Sequence, residues 1–125
     1  MTDSLNAIKI IYDIIKTCGV SVFKDRSPRD QAGEHIIVGS NGSTNLEVVN
    51  LAQVNVNIYI PKPKGGMVNR PRIETVRTAV YTLIANATGP AGYYCVIDQA
   101  FSALLEDAKE GFDVFTIRYE ITLNT

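Results

Sequence analysis

The sequence predicts an α+β domain, an antiparallel or mixed β-sheet with two α-helices packed on one face. Three observations carry that prediction. Residues 52–60 alternate strictly, with Ala52, Val54, Val56, Ile58 and Ile60 on one side and Gln53, Asn55, Asn57 and Tyr59 on the other. That period of two belongs to a strand with one buried face and one wet face. Two segments show helical spacing instead, Leu5, Ile8, Ile11, Tyr12 and Ile15 near the start and Ile73, Val76, Val80, Leu83 and Ala87 later. Helices and strands mixed in this order fit a sheet covered on one side by helices.

The elements follow in chain order. Ser4 or Asp3 can cap the first helix, and Cys18-Gly19 closes it, because glycine adopts the left-handed conformation at a helix end without strain. Val20 to Phe23 reads as a short strand, Lys24 to Gly33 as a polar connection and His35 to Val38 as a second strand. Ser40-Asn41-Gly42-Ser43 carries the Asn-Gly signal of a turn. Pro61 and Pro63 end the alternating strand, since proline offers no ladder N–H. Pro71 suits the first turn of the second helix, and Gly89-Pro90 stops it. From Tyr94 to Ala108 two readings stay open. Ile97, Phe101, Leu104 and Ala108 fit a helix, whereas 93–97 fits a short apolar strand. Phe115, Ile117, Tyr119, Ile121 and Leu123 alternate with Thr116, Arg118, Glu120 and Thr122, which predicts a closing antiparallel strand.

With 125 residues, 46% hydrophobic and 20% charged, the chain is expected to form one domain, 1–125, with a single core. Its net charge of −1, from 12 basic and 13 acidic residues, argues against a coat for nucleic acid or for an anionic membrane. The longest apolar run, Ile10 to Ile15, is interrupted by Asp13 and falls far short of the roughly 20 residues of a membrane span. No basic segment leads into an apolar one near Met1, so no secretory signal is expected and the chain is placed in the cytoplasm of the cell that makes it.

The residues offer little chemistry. His35 is the single histidine, and with Cys18 and Cys95 far apart it makes no zinc spacing. A Cys–His nucleophile lacks a local motif, and the two cysteines are read as buried thiols in preference to a bridge. Gly39-Ser40-Asn41-Gly42 and Gly65-Gly66 lack the spacing of a phosphate-binding loop. Glu106, Asp107 and Glu110, beside Lys109, read as a solvated charged turn and not as a catalytic carboxylate pair. No cofactor, no metal and no catalysis are expected. The strongest functional candidate is the loop from Lys62 to Arg72, in which Lys62, Lys64, Arg70 and Arg72 stand among Gly and Pro. A binding loop and a solubilising loop are both compatible with it. No aromatic residue is interleaved for base stacking, which disfavours nucleic acid as its target.

A short N-terminal helix precedes Ile36-Ile37-Val38-Gly39 and the strand Val54-Asn55-Val56-Asn57-Ile58-Tyr59-Ile60. The basic loop, the helix Ile73 to Asn86 and a strand through Arg118-Tyr119-Glu120-Ile121 complete the order. This succession resembles the tail-terminator and tail-completion proteins of long-tailed phages and prophages, over nearly the whole chain and by element order, without an invariant motif. The resemblance implies a structural subunit that assembles with itself as a ring, typically a hexamer, on the end of the tail tube. There it would stop tube growth and join tail to head. It implies tail tube and head connector proteins as partners, no sequence-specific nucleic acid, and a place first in the host cytoplasm and then in the virion tail. The Lys62 to Arg72 loop becomes the inter-subunit candidate. Where such proteins often have a hairpin, Phe101 to Gly111 reads as more helical here. A small regulatory or ligand-binding α+β domain is the alternative, and it would show a closed apolar pocket with a few convergent polar groups.

Overall fold

The computed structural model describes residues 4–27, 33–45, 49–63, 66–87, 94–109 and 111–124. They form α1 (Ser4–Ile15), β1 (Ser21–Lys24), β2 (His35–Asn45), β3 (Val49–Pro61), α2 (Arg70–Ala85), β4 (Tyr94–Lys109) and β5 (Phe112–Asn124). The five strands make one mixed sheet in the order β1-β2-β3-β5-β4. Only the β1–β2 pair is parallel, and every other neighbour is antiparallel.

Both helices lie on the same face, because α1 touches β1, β2, β3 and α2, while α2 rests on β3. Ile8, Ile11 and Ile15 of α1 are buried with Ile73, Val76 and Val80 of α2 against Ile36, Val38, Val54, Val56, Ile58, Ile117 and Ile121. On the outer side of α1, Lys9 pairs with Asp13 at 2.6 Å, one turn apart. The helix stops as expected: Cys18 N donates to Ile15 O at 2.9 Å, and Gly19 follows at φ 96°. Asn69 caps α2 through its side chain, which accepts from Arg72 N at 3.4 Å, and Pro71 sits in the first turn where no intrahelical N–H is needed.

Two expectations are corrected. Ser40-Asn41-Gly42-Ser43 is not a turn. β2 continues to Asn45 and keeps pairing with β3, shifting register between Ser40 and Gly42. The Asn-Gly signal marks a bulge, which inserts an extra residue without ending the strand. The second correction concerns 94–111, where the helical reading fails. Tyr94–Lys109 is one long strand in antiparallel pairing with β5, with register shifts between Gln99 and Phe101 and between Leu105 and Lys109. Ile97 and Leu104 pair with Ile121 and Phe115 on the helix face and Phe101 with Arg118 on the other, so the three- and four-residue spacing that imitates a helix marks no single buried face. Glu106 and Asp107 accordingly belong to the backbone of β4 and not to a turn. The Gly89-Pro90 stop, Asp3 and Glu110 lie outside the described residues.

Candidate functional site

The segment from Lys62 to Arg72 leaves the sheet at the end of β3 and enters α2. Lys64 lies outside the described residues. The other three basic residues each have a carboxylate beside them. Lys62 N donates to Gly111 O at 2.9 Å, and its Nζ stands 3.7 Å from Oδ1 of Asp113, which is buried. Arg70 Nε donates to Glu74 Oε1 at 3.2 Å across one exposed helical turn. Arg72 grips Glu34 with both arms, Nε donating to Oε2 at 2.8 Å and Nη2 to Oε1. Residues 70–72 are therefore the first turn of α2, and Arg72 ties that turn to the start of β2. Among its described residues this segment presents Met67 openly to solvent, 77% exposed beside Gly66 at φ 77°.

Hydrogen bonding to Arg72 holds the Glu34 carboxyl below the ordinary carboxylate range, outweighing the opposing effect of partial burial. A depressed folded-state pKa means that the pair stabilises the fold above the unfolded carboxylate value and loses that contribution as pH falls through the folded one. Because both side chains are about one-third exposed, at 38% and 33%, solvent screening limits the effect. Glu34→Gln is expected to lower stability by about 1 kcal/mol at pH 7. Denaturant titrations at pH 7 and near pH 3 check this, since the difference from the unmodified chain should shrink as the pH falls.

The sheet face away from the helices is polar across β3 and β5. Thr116 Oγ1 donates to Asn57 Oδ1 at 2.6 Å, Arg118 Nε to Asn55 Oδ1 at 3.3 Å and Gln53 Nε2 to Glu120 Oε1 at 3.4 Å. At one end of this face His35 is fully buried, stacked on Tyr59 at 4.6 Å and edge-on to Phe112 at 5.4 Å, with Nδ1 2.8 Å from Gly33 O. These contacts give His35 a packing role. Cys18 is a half-buried free thiol whose Sγ lies 3.8 Å from Val20 O. Among the described residues no group of three or more His, Cys, Asp and Glu is placed to hold a metal, and no helix is long and apolar enough to cross a membrane. Pro71, Glu74, Thr75, Arg77 and Thr78 line an open depression on α2.

Sequence reasoning passed over the β4 edge. Phe101, Leu104 and Leu105 are 49%, 37% and 46% exposed, and with Met67 they are the exposed large hydrophobic side chains among the described residues. Phe101 lies on the polar sheet face, where the Arg118 guanidinium sits 5.5 Å from its ring centroid. The signal was present as the uncharged run Ala100 to Leu105, but a helical reading would have turned part of it inward.

No protein-family model matches this chain, and no curated protein matches it by sequence. Among solved structures, the chain is similar in fold to a chain from the "Virion of native gene transfer agent (GTA) particle". The two are 10% identical, and the match has a TM-score of 0.68 over 94% of this chain and 94% of that one.

Proposed function

We propose that this chain is a structural subunit of a phage or phage-like particle, a ring-forming tail terminator or head–tail joining protein that works by self-association and without catalysis. The observation that carries the proposal is the end-to-end fold likeness to a virion chain, 94% of both chains at a TM-score of 0.68. The element order of the sequence supports the same role. In this reading the tail tube and head connector proteins are the partners, and the finished particle is where the chain resides.

The segment around Lys62, Lys64, Met67, Arg70 and Arg72 then contacts the neighbouring subunit. Lys62 and Arg72 fix its two ends through Asp113 and Glu34, leaving Met67 and Arg70 exposed among its described residues. An apolar side chain beside a cation on a segment anchored at both ends suits a protein interface, where exposed apolar area gains most from burial. Negative-stain electron microscopy of the concentrated chain is expected to show annular particles. Replacing Met67 with Ser and Arg70 with Glu together should raise the concentration needed for annuli by about tenfold or more, a loss of about 1.4 kcal/mol per contact. Annuli that form equally well with both replacements would remove this segment from the interface.

A further inference from the structure

The two edges of the sheet are not alike. β1 is four residues long, its ends Ser21 and Lys24 are exposed, and Lys24 Nζ lies over the Tyr12 ring at 5.0 Å. Asp25 follows at φ 68°, outside the extended region, and the strand ends before it. Shortness and an edge lysine are devices that discourage further strand pairing. β4, 16 residues long, is the opposite case. From Gln99 to Leu105 every residue is exposed except Ala103, which is half-buried, so neither face of this stretch is covered. The six positions Ala100 to Leu105 carry no charge, proline or glycine. An uncharged, apolar edge stretch of this kind is a template for another strand.

The pairing-competent part is narrow. Phe101 to Leu105 pair regularly with Arg118 to Val114, and a register shift bounds the stretch on either side. Within it the sequence Phe101-Ser102-Ala103-Leu104-Leu105 complements itself when run antiparallel about Ala103. Phe101 falls opposite Leu105 of a second copy, Ala103 opposite Ala103, and Leu105 opposite Phe101, all three on the polar sheet face. On the helix face Ser102 falls opposite Leu104, small against large. Continuing the count, position 106 falls opposite 100 and 107 opposite 99, so no acidic position meets another. The smallest side chain stands on the symmetry axis, where two copies come closest.

We infer that β4 is a homodimerisation edge, at which Phe101–Leu105 pairs antiparallel with the same segment of a second copy about a two-fold axis through Ala103. The occupant is a second copy because the segment matches itself in shape and charge, while the other edge of the sheet is blunted. A two-fold contact closes at two copies and makes no ring. It therefore goes beyond the assembly role and describes the free chain, whose apolar edge is covered before any particle forms. It rests on the strand geometry alone.

Ala103→Cys tests the axis, because directly opposite residues in an antiparallel pair hold their Cα atoms about 4.5–5.5 Å apart, inside the roughly 4.4–6.8 Å that a disulfide spans. Mild oxidation is expected to link this variant into covalent dimers at least tenfold faster than the unmodified chain, whose Cys18 and Cys95 set the background, and to give nothing larger. Adding Leu105→Lys should return linking to that background while circular dichroism shows the same fold. Sedimentation equilibrium on chains without the new cysteine gives the second readout. At concentrations below those that give annuli, the unmodified chain should reach a dimer mass, and Leu105→Lys alone should raise the dimer dissociation constant at least tenfold. Linking at background rate, a ladder of larger products, or a mass unaffected by Leu105→Lys would each overturn the inference. Annular particles with Ala103→Cys unlinked would sink this inference and leave the assembly role standing. Linked dimers without annuli would do the reverse.

Discussion

Ile58→Ala lowers the free energy of unfolding by about 2–5 kcal/mol, the range for truncating a fully buried branched side chain where the surroundings collapse only partly. Ile58 is fully buried in β3, whose central position puts it opposite Ile36 on one side and Phe115 on the other. Removing its outer carbons opens a cavity between three strands and the helices above them. Since small domains are stable by only about 5–15 kcal/mol, a large share of the fold's margin depends on this one side chain. The matched control is Asn57→Ala, one residue away on the polar face, where the loss is a hydrogen bond from Thr116 at 2.6 Å and the expected cost is about 1 kcal/mol. Urea unfolding followed by circular dichroism separates the two. Equal costs would mean that the helices do not cover the face of the sheet on which Ile58 lies.

The second large effect comes with alkali. Tyr119 is 2% exposed on the helix side of β5, and its hydroxyl is buried without a hydrogen-bond partner among the described residues. Burial, with a smaller contribution from Tyr81, pushes its pKa well above the ordinary tyrosine range. In the unfolded chain the phenol ionises near pH 10, so above that value the unfolded state loses a proton that the folded state keeps. Stability contributed by the neutral phenol is thus complete below about pH 10 and falls by about 1.4 kcal/mol for each further pH unit, up to the folded pKa. Tyr119→Phe should flatten this alkaline loss while leaving stability at pH 7 unchanged or slightly higher, because the hydroxyl contributes no hydrogen bond there. Tyr59, also raised by burial, contributes to the slope that remains. Denaturant midpoints between pH 8 and 12 check both halves, and an unchanged alkaline slope in Tyr119→Phe would refute the assignment.

How far the fold could be read from sequence depended on whether local pattern and tertiary pairing agreed. In β3 they agree. Every second residue from Ala52 to Ile60 is buried, as the alternation predicts. α2 is similar, with Asn69 and Pro71 fixing its start and Ile73, Val76 and Val80 its buried stripe. They part at Asn41-Gly42 and along β4. In the first, a dipeptide that favours a turn is held extended because β3 offers a partner on past the bulge. In the second, two bulges break the alternation that would have marked a strand. The parallel pairing of β1 with β2 had no local signature at all, since it depends on where 25–34 returns the chain.

The candidate surfaces show the same division. Lys62, Arg70 and Arg72 were legible as a basic cluster, but their partners Asp113, Glu74 and Glu34 were not, since two of the three arrive from other elements. Arg72 therefore acts as a strut between α2 and β2, and Met67 stands out in its place. The exposed edge at Phe101, Leu104 and Leu105 could be found only once β4 was known to be the last strand of the sheet.

The central claim is that the chain works by assembling with itself, and light scattering across a range of protein and salt concentrations tests it most directly. The account predicts a defined species heavier than a dimer that grows with concentration and returns to smaller species on dilution. A mass that stays at monomer or dimer at every concentration and salt would contradict it.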